Sequence, residues 1–183
     1  MSIEAKIVER LKARFSKLRD EGRCIFAHEV RVLGWGHISD GKPHVMRPDF
    51  VVSWDDGPLV AIECKGRFDE RTDLGRAMKQ AHDYSRAQVV ANDASRVPPE
   101  WIGKPIWASA LAFDLPGSPE KISGAVQEAH RLLGPFNCGF LNRAPFGLIF
   151  TMGEQRYWSQ DYKWRADAFA RGIRVGSLRK DAP

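Results

Sequence analysis

The chain has 183 residues, with 28 Lys plus Arg against 23 Asp plus Glu and a formal net charge of +5. That length suits one domain with a substantial core rather than two, and a balance of 43% hydrophobic to 28% charged residues excludes a disordered or low-complexity chain. Three widely separated cysteines, Cys24, Cys64 and Cys138, argue against a disulfide framework or a CxxC zinc site; with no apolar run near the ~20 residues of a bilayer span, a reduced, cytoplasmic protein without membrane contact is expected.

Ile7, Val8, Leu11, Phe15 and Leu18 recur at helical spacing, so residues 3–20 are predicted as an amphipathic helix stopped by Glu21-Gly22. Its outer cations, Arg10, Lys12, Arg14, Lys17 and Arg19, read as a solvated face, with phosphate contact as the alternative. Residues 24–33 form a strand pattern broken by Gly34-Trp35-Gly36, and residues 49–54 and 58–65 give two more strands joined by Asp55-Asp56-Gly57. A helical pattern follows over residues 72–87, with Leu74, Ala77, Met78, Ala81 and Tyr84 on one face. The second half is less legible: a buried strand over 105–113, a helix over 119–133, and a hairpin of 146–152 with 155–158 turning at Gly153-Glu154. Residues 1–158 are then the domain, and 159–183 a basic C-terminal extension, expected to be helical and packed on it. The aromatic side chains among its cations, such as Tyr162 and Trp164 beside Lys163 and Arg165, also suit stacking on bases.

Chemistry concentrates in the third strand. Successive strand side chains alternate, so Ala61, Glu63 and Lys65 share one face while Val60, Ile62 and Cys64 share the other. The Asp55-Asp56-Gly57 loop suits a three-residue hairpin, a type I turn closed by glycine in the left-handed region. If Trp54 thereby faces Pro58, the same register sets Asp49 directly against Glu63. Opposed carboxylates with Cβ atoms about 4.5–5.5 Å apart repel; a raised pKa or a bound divalent cation would offset that repulsion. Asp49, Glu63 and Lys65 carry one net negative charge, which a 2+ ion converts to one net positive charge suited to a phosphodiester. Lys65 could orient or deprotonate a water or stabilise a pentavalent transition state, and the sequence leaves these roles open. The Cys64 side chain is expected in the core, leaving its backbone carbonyl as its only ligand group.

Pro48-Asp49 followed by Glu63-Cys64-Lys65 on the next strand resembles the signature of the PD-(D/E)XK nuclease superfamily. Gln80 and Tyr84 resemble the Q-x3-Y element of its RecB-like branch, and Glu4, projecting from the middle of the apolar face of the first helix, resembles its helical acid. The resemblance spans roughly residues 3–87. It implies an α/β fold with a restriction-endonuclease-like central mixed β-sheet flanked by helices, with Asp49 and Glu63 binding Mg²⁺ or Mn²⁺. Lys65 would assist the water, and Gln80 and Tyr84 would orient Lys65, that water or a substrate phosphate. Glu4 would bind the metal through water or steady a second ion; its alternative reading is a first-turn acid favoured by the helix dipole. Glu29 is a weaker substitute, and His44 and His82 are expected outside the hard-cation site.

The leading expectation is a metal-dependent deoxyribonuclease acting on DNA, with RNA or a small nucleotide as the other substrate of the same chemistry. A homodimer or a larger nucleic-acid-processing complex would supply targeting that so small a chain lacks. The competing expectation is a nuclease-fold module without catalysis that holds nucleic acid or a protein partner.

Overall fold

A computed structural model describes residues 1–34, 44–66, 74–90, 97–113, 124–144, 147–153, 155–160 and 163–164. Helix α1 (Ile3–Asp20) starts at Ser2, whose hydroxyl accepts from the Ala5 N–H at 3.1 Å, and ends at Glu21 and left-handed Gly22. Its stripe of Ile7, Leu11, Phe15 and Leu18 is buried, as the spacing predicts.

Strands β1 (Cys24–His28), β4 (Phe50–Trp54) and β5 (Val60–Lys65) form an antiparallel meander. Helix α2 (Leu74–Tyr84) leads to β7 (Ala108–Phe113), parallel to β5, and helix α3 (Gly124–Leu133) leads to β8 (Cys138–Ala144), parallel to β7. Strands β9 (Gly147–Met152), β10 (Gln155–Ser159) and β11 (Lys163–Trp164) continue antiparallel, completing an eight-stranded mixed sheet in the order β1-β4-β5-β7-β8-β9-β10-β11. Strands β3 (His44–Met46), β2 (Val32–Gly34) and β6 (Gln88–Val89) make a second, three-stranded sheet. The molecule is thus a mixed α/β protein, and no helix among the described residues is long and apolar enough to cross a membrane.

The large sheet is apolar on both faces. Phe50, Val52, Trp54, Val60, Ile62 and Cys64 meet α1 on one face, where Phe15 packs edge-on against Phe50 at 5.3 Å between ring centroids. Val51 and Ala61 lie on the other with Tyr84, Val32 and Val89, and Leu111 and Phe140 pack there against Ala77 and Ala81 of α2. Central strands covered on both faces read as apolar runs, which explains why 60–62 and 110–113 lack polar alternation.

Several expectations change. The pattern over 24–33 is two strands in two sheets, because Glu29 adopts a φ of +50° and turns the chain out of the large sheet. Strands β3, β6 and β8 were not expected. Lys163–Trp164 form a strand paired with β10 rather than a helix, so the regular sheet continues past residue 158. The hairpin over 147–159 forms with Met152 paired to Gln155 and Gly153 left-handed at φ +58°. Expected features at Trp35, Gly36, Thr72, Asp73, 119–123, Phe146, Glu154, Tyr162 and 165–183 lie outside the described residues.

The β4–β5 hairpin has the expected register, Phe50 to Ile62, Val51 to Ala61 and Val52 to Val60, but by a different turn. Asp55 and Asp56 are both left-handed at φ +47° and +57°, and the Gly57 N–H donates to the Trp54 carbonyl at 2.8 Å. Gly57 is not the left-handed residue; any Cβ on it would run into the Trp164 indole, which donates to the same Trp54 carbonyl at 2.7 Å. Asp55 is held by Arg23 at 3.0 Å and by the Trp158 indole N–H at 2.8 Å.

Candidate metal and catalytic site

Asp49 precedes β4 and Glu63 lies near the end of β5, and extending the observed register by one residue sets them opposite each other. Alternation then decides the faces. Glu63 projects toward α2 and Cys64 turns its sulfur into the core beneath α1, while the Asp49 carboxyl at the end of the hairpin lies against Cys64. The Cys64 N–H, just past the last paired residue of the hairpin, donates instead to Asp49 Oδ2 at 2.6 Å. Lys65 Nζ donates to Glu63 Oε1 at 2.8 Å, and the Tyr84 hydroxyl of α2 donates to Glu63 Oε2 at 3.0 Å. Glu63 is only 8% exposed, so its charge is carried mainly by these two donors.

Burial, the largest effect, lifts the Asp49 carboxyl above its usual range; the Cys64 N–H opposes this and the negative charge of Glu4 adds to it. Burial also lifts Glu63, against the pull of Lys65, and the charge of Asp49 pushes it further. Tyr84 is pushed up by burial and then by Glu63, so it stays a neutral donor. The Cys64 thiol rises by burial and by the charge of Asp49, which keeps it inert.

Of the sequence-predicted residues, Glu63, Lys65 and Tyr84 form one hydrogen-bonded group, and Asp49, bonded to the Cys64 N–H, joins them through charge. Tyr84 orients Glu63 rather than Lys65, a refinement of the expected role. Gln80 lies one helical turn before Tyr84, and its Oε1 is buried with no partner among the described residues. Glu4 sits at the N-terminal end of the α1 stripe rather than in its middle, is exposed, and reaches Asp49 only through its charge. Glu29 lies at the chain turn after β1, His44 is exposed on β3, and His82 stacks edge-on against Phe136 at 5.2 Å. No three His, Cys, Asp or Glu side chains among the described residues converge as a metal-holding set.

One supporting group escaped the sequence reading. Ser109 of β7, fully buried, donates to the Ala81 carbonyl at 2.5 Å and fastens α2 to the strand beside β5. A lone hydroxyl inside the apolar run ASALAF was the available signal, since a buried polar atom needs a partner.

Asp49 and Glu63 are hard oxygen donors in a partly buried site, and a 2+ charge beside them would favour their ionised forms, which burial disfavours; Mg²⁺ commonly takes one or two protein carboxylates with water and substrate oxygens completing its shell. No protein-family model, curated protein or solved structure matches the chain.

Proposed function

We propose that the protein is a divalent-metal-dependent deoxyribonuclease with a PD-(D/E)XK site on a restriction-endonuclease-like fold. The observation that carries this reading is Glu63 held between Lys65 and Tyr84, with Asp49, anchored on the Cys64 N–H of the neighbouring strand, close enough for its charge to act on Glu63. The order α1, β1, β4, β5, α2, β7, with β7 parallel to β5, supports the fold assignment. The net charge of +5 suits a polyanionic substrate, and the free, buried cysteines suit a reducing compartment such as the cytoplasm.

Asp49 and Glu63 would hold Mg²⁺ or Mn²⁺, with the Cys64 carbonyl as a further oxygen ligand and Glu4 acting through water. Bound there, the ion would polarise a phosphoryl oxygen and lower the pKa of a water. Lys65, which donates to Glu63 Oε1, would position the attacking water, take its proton or face the charge developing on phosphorus. Tyr84 keeps the second oxygen of Glu63 in place, and Gln80 offers an unspent amide beside it.

Purified protein should cut DNA with Mg²⁺ or Mn²⁺ and stop with EDTA. Lys65→Ala or Asp49→Ala should lower the rate by about 10²–10⁴-fold, and full activity in either variant rejects the site. Circular and linear duplex, single-stranded DNA and RNA as parallel substrates separate endonuclease from exonuclease action and DNA from RNA. The engagement of both Glu63 oxygens by Lys65 and Tyr84 favours the second reading, a binding module without catalysis. Salt-sensitive DNA binding that ignores metal and Lys65→Ala, without cleavage, would establish it.

A further inference from the structure

Strand β1 ends the large sheet, and among the described residues no strand pairs with it on the side away from β4. Two backbone bonds fix which of its groups are left over: Asp55 N–H donates to the Arg23 carbonyl at 2.8 Å, and Glu29 N–H to the Asp49 carbonyl at 2.9 Å. Odd-numbered residues therefore bond to β4, and the N–H and C=O groups of Cys24, Phe26 and His28 point outward. Native edges are usually guarded by lysine, proline, a bulge or an inward charge, and CIFAH carries none of these. Ile25 is 45% exposed, and an open groove of about 380 Å³ runs past Phe26, Ala27 and His28, with Arg19 and Glu29 at its walls.

We infer that this edge docks a second copy of the chain, β1 against β1, antiparallel about a two-fold axis at Phe26. Three features select a second copy over an unrelated strand. Phe26 opposite Phe26 and Cys24 opposite His28 use every outward N–H and C=O of both strands, leaving no orphan. Ile25 then faces the small, buried Ala27, so its exposed side chain lies over an apolar neighbour rather than a polar one. Beyond the strand, the same register sets Arg23 of one copy against Glu29 of the other; Arg23 keeps its internal bond to Asp55, and the two flanking pairs are of opposite charge. The operation joins two large sheets into one and leaves both acid sites on the same face. A five-residue edge buries less than the roughly 1,200 Å² of a stable interface, so the dimer is a weak, concentration-dependent one.

Sedimentation equilibrium of the full chain from about 1 to 200 µM, with ~1.4 kcal/mol for each tenfold change in Kd, tests this. Wild type should move from monomer to dimer across that range. Ile25→Lys, at an exposed side chain, should weaken dimerisation at least tenfold with an unchanged melting temperature, and Glu29→Lys should weaken it by a similar factor. Cross-links between copies should map to residues 19–29. A wild type that stays monomeric, or dimers unaffected by both variants, overturns the inference. The readout is independent of metal and DNA, so it stands or falls separately from the nuclease reading.

Discussion

Glu63 sits between a cation and a phenol, and Asp49 beneath a backbone N–H, yet both carboxyls titrate above their ordinary range because burial outweighs those contacts. A carboxyl whose pKa is higher folded than unfolded binds protons more tightly in the native state. Its stabilising contribution is full below the ordinary carboxylate range and is lost as pH rises through the folded value. At neutral pH in the absence of metal, the ionised acids therefore strain the fold they serve. Asp49→Asn, which can still accept from Cys64, should raise the melting temperature at pH 7 by a few degrees, with the gain vanishing near pH 4; thermal melts at both pH values check it. Lys65→Ala removes the cation that compensates buried Glu63 and should destabilise by about 1–3 kcal/mol at pH 7, measurable by urea titration and largely relieved by Glu63→Gln. These residues were legible as a set because alternation along VAIECK assigns faces without any knowledge of the fold. The partner of Tyr84 was not, since a helix crossing over a strand can present a hydroxyl to Glu63, Lys65 or solvent from the same sequence.

At the scale of elements, the β4–β5 hairpin separates what local chemistry sets from what contact sets. Its register follows from apolar pattern and loop length, and it holds. Its turn type does not, because Asp55 is pinned left-handed by Arg23 and by Trp158, which lie 32 and 103 residues away. Gly57 is required for room, not for φ. Gly57→Ala should push Trp164 off the turn, cost about 1–3 kcal/mol and change tryptophan emission before global unfolding. Chemical denaturation followed by fluorescence checks this, and a silent substitution would separate β11 from the hairpin. The split of residues 24–33 has the same origin: nothing in CIFAHEVRVL marks Glu29 as left-handed, and its backbone is held there by the bond to the Asp49 carbonyl.

For the whole molecule, cover on both faces sets where stability lies. Strands β5 and β7, between α1 on one side and α2 with the small sheet on the other, bury nearly every residue, whereas His44 and Val45 of β3 are exposed. Hydrogen exchange should therefore be slowest at residues 60–64 and 108–112 and much faster at 44–46; comparable rates would mean that the small sheet folds as one unit with the large one. The sequence by itself determined the first helix, the β4–β5 register that sets Asp49 opposite Glu63, the second helix and the shared face of Glu63 and Lys65, because periodicity and alternation are local consequences of backbone geometry. Only the tertiary structure decided that β8 and the small sheet exist, that Tyr84 is spent on Glu63, that Glu4 acts on Asp49 through its charge, and that β1 lies at an edge. Each of those depends on which distant segments meet, and meeting is fixed by burial over the whole chain.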